Sequence, residues 1–338
     1  MIKIVQKAGF SRPASGGGNH EQGRQMEASI KKVATVDCRV FDKLPMDPAG
    51  LIMKLRRQGM LVNAESALPY LLQVGAYRMK GYWYQWQDRE TKNFKSNVCF
   101  DEAIRRYEFD RELRRITAVA LERIEIMVRV VFSEVMAEYE GPHWFMKDEV
   151  FVSSGTANKA ARRSFVQKIE EEISRMRDKA FIAHYFQKYD YPRLPPSWVI
   201  CECLSFGAWS YGYKDLANQR YRKLISRRFK VEDDHVFASW LHAFSVLRNV
   251  VAHHGRLMGG QSSVTPKSYQ KRGLYFGRSR NFFVLASVIN YVSASIRQGP
   301  GWRANLESLF ERYPGLDVDA LLGFPPDWLM HPVWRESA

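Results

Sequence analysis

Apolar positions along this chain recur every three to four residues and seldom every second one, a periodicity that predicts helices rather than strands. In "FDKLPMDPAGLIMKLRRQGMLV" the residues Leu51, Ile52, Leu55 and Met60 share one face, Asp47 can cap, Pro48 suits a first helical position and Gly59 ends the helix. A second short helix in "ESALPYLLQVGAYRMKGYW" runs into an aromatic cluster, Tyr77, Tyr82, Trp83, Tyr84 and Trp86, expected to be core. The clearest pattern is "YEFDRELRRITAVALERIEIMVRVVFSEVMAEYEG", with Leu113, Ile116, Ala120, Ile124, Met127, Val128, Val131 and Val135 in one stripe, closed by Gly141 and Pro142. Its other face carries Arg111, Arg115, Glu122, Arg123, Glu125 and Arg129 and is expected to be solvated, with Glu125 and Arg129 ordered for i,i+4 pairing. Further helices are predicted at "SFVQKIEEEISRMRDKAFIAHYFQKY", "SWVICECLSFGAWSYGYKDL" and "HVFASWLHAFSVLRNVVAHH". The fold class is all-α.

The pattern divides the chain. Residues 1–36, which include "SRPASGGGNHEQGRQ", are too polar to offset ordering entropy and are expected to form a flexible arm. Residues 37–105 form a small helical N-terminal module, 106–300 a helical bundle and 301–338 a C-terminal helical extension. The apolar run "NFFVLASVINYVSASI" is interrupted by Asn290 and serines and falls short of the ~20 residues that span a bilayer, so it is expected to be a buried helix, with no membrane partner.

Charge changes the picture most. Fifty-one Lys and Arg against 36 Asp and Glu leave a formal charge of +15, which favours a polyanionic partner. The four cysteines make no disulfide framework and no secretory apolar region follows Met1, which places the chain in a reducing cytoplasm. There is no phosphate loop, His-Glu-x-x-His or Gly-x-Ser-x-Gly motif, and none of these patterns calls for a small-molecule cofactor. Cys201 and Cys203 flank Glu202 without a second ligand pair, so they are expected to pack and hold no metal. "KRGLYFGRSRNFFV" is expected to be a basic loop entering a helix. Basic clusters lie at Arg105, Arg106, Arg111, Arg114 and Arg115, and again at Arg220, Arg222, Lys223, Arg227, Arg228 and Lys230. In the second, Tyr221 and Phe229 are interleaved, a composition suited to phosphate contacts with base stacking; a solvated helix face is the alternative.

The richest stretch is "VLRNVVAHHGRL". Phe237, Trp240, Leu241, Phe244, Leu247 and Val251 form an apolar stripe, and Arg248 lies only about 40° from Phe244 on an ideal helix, aimed towards a packed surface where it needs an anion. Asn249 and His253 are four apart and share a face, so the amide can orient the imidazole, and Gly255 supplies the stop. Cations at a helix C-terminus gain about 0.3–1 kcal/mol each, which accounts for His253, His254 and Arg256 without any site. It does not account for Arg248 and Asn249 in mid-helix.

"LRNVVAHHGRL" resembles the Arg-Asn-x-x-x-His signature of HEPN ribonuclease domains, in the form found in Abi-like proteins of the AbiD/AbiF type, bacterial abortive-infection factors. "LIMKLRRQGMLV", "YLLQVGAYRMKGY", "YEFDRELRRITAVALERIEIMVR", "LPPSWVICECLSFGAWS" and "LLGFPPDWLMHPVW" resemble the same family in the same order, over residues 41–334. The resemblance implies that the bundle is of HEPN type, dimerises and cuts RNA without a metal; in some relatives a partner small RNA restrains the protein. Arg248, Asn249 and His253 match the signature, and His254 fits its looser spacing. The chain departs from the pattern with "RLMGG" where relatives carry Arg-Leu-Trp-Asn, which leaves the role of Arg256 open.

Metal-independent RNA cleavage needs a base for the 2′-hydroxyl, an acid for the leaving 5′-oxygen and a cation for the phosphorane. Arg248 and His253 point about 140° apart on one helix, so a two-fold homodimer is expected to complete the site. His253 is then base or acid, Arg248 binds the scissile phosphate and Asn249 positions the imidazole. Glu202 is a candidate partner for Arg248, or a structural ion-pair partner elsewhere. The basic clusters would steer RNA to the cleft. A non-catalytic scaffold holding a structured small RNA is the competing function, and a membrane-active toxin a third.

Overall fold

The computed structural model describes residues 44–151, 156–296 and 301–335, so the expected N-terminal arm lies outside the described residues. Those residues form helices, and among them no strand occurs, only isolated bridges.

Helix α1 (Pro48–Arg57) starts as the sequence predicts: Asp47 Oδ1 accepts from the Gly50 amide at 2.6 Å and Pro48 occupies the first turn. It stops at Gly59, whose φ of +94° lets Gly59 and Met60 donate back to Arg56 and Leu55. Helix α2 (Ala64–Tyr70), capped by Asn63, contains Pro69 and passes through a π-helical turn, Leu71–Gly75, into α3 (Ala76–Trp83). Pro69 has no N–H to give the ladder, which is consistent with the helix widening directly after it. The aromatic cluster divides: Tyr82 and Trp83 are buried as expected, but Tyr84 is half exposed and Tyr77 stands in solvent.

The axis of the molecule is α4 (Phe100–Glu140), which begins seven residues before the quoted apolar pattern and ends at Gly141, φ +85°. Phe100 and Ala103 pack in a small core with Ile52, Leu55, Met79, Tyr82 and Trp83; from Phe109 onward the same helix enters the large core. Helices α5 (Thr156–Arg175), α6 (Ala180–Lys188), α7 (Ser197–Ile200), α8 (Phe206–Asp215) and α9 (Gln219–Arg227) follow. Next comes α10 (Asp234–Ala252), which packs against α8 and α4. The apolar run from Asn281 is α11 (Phe282–Ser293), buried along almost its whole length, and no helix among the described residues is long and apolar enough to cross a membrane. Helices α12 (Trp302–Arg312), α13 (Val318–Leu322) and α14 (Pro332–Arg335) close the large core with Phe324, Trp328 and Trp334.

Candidate functional site at the end of α10

Asp233 caps α10 by accepting from the amides of His235 and Val236, and the stripe Phe237, Trp240, Leu241, Phe244, Leu247 and Val251 is buried, which fixes the helix's rotation. That rotation puts Arg248 at the edge of the packed face. Its side chain is 42% exposed, and Nε lies 3.4 Å from Glu125 Oε2 on α4. The carboxylate paired with Arg248 is therefore Glu125, not Glu202. Glu125 is buried and also accepts from Nη2 of Arg129, so the α4 face expected to be solvated is so at Arg111, Arg115 and Glu122, whereas Glu125 and Arg129 form the floor of a cavity. Glu122, Glu125, Arg129, Glu202 and Arg248 line this space of about 500 Å³, with Ala118, Val251 and Ala252 along one side. Glu202 enters it from the turn after α7. Its neighbours Cys201 and Cys203 are buried, and burial, reinforced by the Glu202 charge, pushes their thiols up to about 12 and about 11. Both are protonated packing residues. Among the described residues no group of three or more His, Cys, Asp or Glu could hold a metal ion.

The helix does not stop as the sequence predicts. His253 is the C-cap, and the residue that turns left-handed is His254, φ +56°, not Gly255. His254 donates to the Val251 carbonyl and Gly255 to that of Val250, the double closure that usually has glycine where His254 stands. Gly255 is needed for closeness instead: a Cβ there would meet Val250 Cγ1 at 2.7 Å and the Val250 carbonyl at 3.0 Å. The result is that both histidines are exposed. Asn249 is exposed too, and its Oδ1 lies 3.5 Å from Arg248 Nη1; its hydrogen bond with His253 runs through the backbone, so the expected amide-to-imidazole contact is replaced by a backbone one. Neither Asn249 nor His253 lines the Arg248 cavity, so one chain does not bring Arg248 and His253 into one pocket.

His254 lines a second cavity of about 640 Å³ on the other side of Ala118, Val251 and Ala252, together with Arg78, Arg111, Arg114 and Arg115. Arg78 Nη1 donates to the His254 carbonyl at 2.6 Å, which ties α3 to the signature. Arg256 has a similar structural task. It donates to the Gly81 carbonyl and lies over the rings of Tyr82 and Tyr84, at 5.9 and 5.5 Å from their centroids.

Beneath this lies Asp110, a residue that sequence reasoning misses. Fully buried on α4, it accepts from the Leu257 and Met258 amides at 3.0 and 2.9 Å, from Tyr82 Oη at 2.8 Å and from Arg114. Burial pushes its carboxyl above the usual range, against the pull of Arg114 and the three hydrogen bonds. The signal was there: an acid inside the apolar phase of Phe109 and Leu113, four residues before an arginine. Arg114, expected to bind RNA, is buried and neutralised by this acid; only Arg115 of the pair is exposed.

The α9 cluster lies elsewhere. Arg222 bonds Asp234 at 2.7 Å at the start of α10, fourteen residues or about 21 Å from Arg248 at the helical rise. That is more than two screening lengths at physiological salt, so Arg222, already paired with Asp234, adds little to the field at Arg248. Phe229 is buried against Phe237, which removes it as a base-stacking platform, while Tyr221 is partly buried and donates its hydroxyl to Glu140. Lys223 is partly buried, while Arg220, which sits over Tyr139, and Arg227, Arg228 and Lys230 are exposed.

The sequence pattern of the Abi-like protein family matches residues 69–258, which run from α2 through the signature, the cavity residues and the Asp110 acceptors. The chain belongs to this family. The match takes in every candidate residue named above, and it ends at Met258, the last residue that Asp110 holds. No curated protein and no solved structure matches the chain.

Proposed function

We propose that this Abi-like protein is a metal-independent RNA endonuclease of the HEPN type, acting as an abortive-infection effector or toxin in phage defence. The observation that carries this reading is the end of α10: Arg248 poised on Glu125 at a cavity mouth, with two exposed histidines held one turn further on. Packing alone has no use for them. With Nε on Glu125, Arg248 keeps Nη2 to meet a phosphate oxygen, and the acid fixes where it points. One His253 takes the proton of the 2′-hydroxyl, whose oxygen attacks phosphorus; a second His253 protonates the departing 5′-oxygen, leaving a 2′,3′-cyclic phosphate and a 5′-hydroxyl. Asn249, exposed beside Arg248, is left to position the substrate or the imidazole.

A second copy supplies the second histidine. Beside the Arg248 cavity α4 exposes Val119, Ile126 and Val130, at 37%, 52% and 40%, within about 40° of one another around the helix. Such a stripe fits a two-fold contact of α4 with itself, which turns the two signatures towards one phosphate.

The competing reading is a scaffold that binds a structured RNA without cutting it. Arg248→Ala and His253→Ala separate the two. The nuclease reading expects both variants to lose at least a hundredfold in cleavage, the usual worth of such a group, while binding RNA within a few-fold of wild type. Wild-type protein that binds but never cuts, with both variants indistinguishable from it, would favour the scaffold.

A further inference from the structure

The two cavities that flank the end of α10 differ in charge. The one holding Arg248 is lined by three carboxylates and two arginines, an unwelcoming place for more than one phosphate. The other is lined by Arg78, Arg111, Arg114, Arg115 and His254 and by no carboxylate. Asp110 neutralises Arg114 from within the core, and Glu108 pairs with Arg111 at 3.0 Å. Arg78 has a carbonyl rather than an acid as its partner. Arg115 makes neither an ion pair nor a hydrogen bond among the described residues; the acid whose field reaches it, Glu112, is already paired with Arg312. Two guanidinium charges thus have no acid of their own around about 640 Å³, a volume in the ordinary range for ligand sites. His254 reaches this cavity from a left-handed backbone conformation that costs on the order of a kcal/mol and that glycine would adopt freely; strain of this kind collects where a side chain is needed in place. One residue before Arg78 on α3, Tyr77 is 94% exposed, a bare ring on the same helix.

We propose that this cavity is a phosphate subsite for single-stranded RNA. Arg78 and Arg115 hold the phosphate next to the scissile one, and Tyr77 offers a face to an adjacent base. Ala118, Val251 and Ala252 are the shared wall over which the strand passes from this cavity to Arg248. The subsite would explain how a cleavage pocket lined by more acids than arginines receives its substrate: the affinity resides next door. The identity of the anion rests on the ribonuclease reading above; the existence of the site does not.

The test uses full-length protein carrying His253→Ala, so that RNA survives, and a fluorescent single-stranded RNA of about a dozen nucleotides titrated at several salt concentrations. Arg78→Gln with Arg115→Gln is expected to weaken binding about tenfold and to reduce the slope of log K against log salt by about 1.4, some 0.7 for each arginine that no longer meets a phosphate. Tyr77→Ala is expected to weaken binding about fivefold with the slope unchanged, since a stacked ring carries no charge. Because Arg78 also tethers His254, Arg115→Gln alone is measured too and should give half the change in slope. Unchanged affinity and slope in both arginine variants would overturn the subsite. A fluorescent nucleoside triphosphate that depends on the arginines while RNA does not would overturn the RNA assignment. Arginine-dependent RNA binding by a protein whose wild type never cuts would remove the nuclease reading and leave the subsite standing.

Discussion

His254 and Gly255 exchange the roles that their residue types suggest, and the exchange can be measured. At His254 the backbone is left-handed, so His254→Gly relieves strain and is expected to stabilise the fold by about 0.5–1 kcal/mol, while a β-branched His254→Val destabilises it. Gly255→Ala is expected to cost about 1–3 kcal/mol, because its methyl group would press on Val250 where neither backbone can yield. Urea midpoints of the three variants check this; a stabilised Gly255→Ala would contradict it. Arg248 behaves differently. Its half-exposed pair with Glu125 contributes at most about 1 kcal/mol, so Arg248→Ala should fold normally while it loses activity.

At the level of elements, α4 does more than pack. Asp110 holds the loop after the signature, Glu125 holds Arg248, and Phe100 and Ala103 anchor the small core. Asp110→Ala leaves Arg114 unpaired in the core and two amides without their acceptor, an expected loss of about 3–5 kcal/mol, whereas Asp110→Asn keeps an oxygen for the amides and should lose clearly less. Equal losses would show that the amide acceptor does not matter. The helices themselves were legible in the sequence: the cap at Asp47, the stop at Gly59, the stripe of α10 and the buried run after Asn281 each follow from local patterns. The pairings across elements were not, because Glu125 and Glu202 look alike in sequence and only the rotation of α10 against α4 selects Glu125. Composition also could not sort the α9 cluster, where Arg222 and Phe229 hold α10 and the core while Arg220, Arg227, Arg228 and Lys230 stay exposed.

Two half-buried histidines, His143 and His331, lie away from the site and bear on the stability of the whole molecule. Burial lowers His143 against a hydrogen bond to the Leu194 carbonyl, and lowers His331 against the attraction of Asp327. Folded values below the ordinary histidine range mean that the unfolded chain binds more protons near pH 6, so stability is complete above about pH 6.5 and falls as pH drops through that value. Urea midpoints at pH 7.5 and 5.5 should show this loss, and His143→Gln with His331→Gln should reduce it; an undiminished pH dependence in the double variant would contradict the assignment. The other whole-molecule expectation is the two-fold pairing through the exposed stripe of α4. Light scattering at micromolar concentration should report a dimer, and Ile126→Glu should give a folded monomer without cleavage activity. A fully active monomer would end the composite site.

The most direct test of the central claim incubates purified wild-type protein and His253→Ala with total cellular RNA in EDTA and sequences the cut ends. The account predicts cleavage by wild type alone, leaving 2′,3′-cyclic phosphate and 5′-hydroxyl ends. Cleavage by both proteins, or wild-type products with 3′-hydroxyl ends, would contradict it.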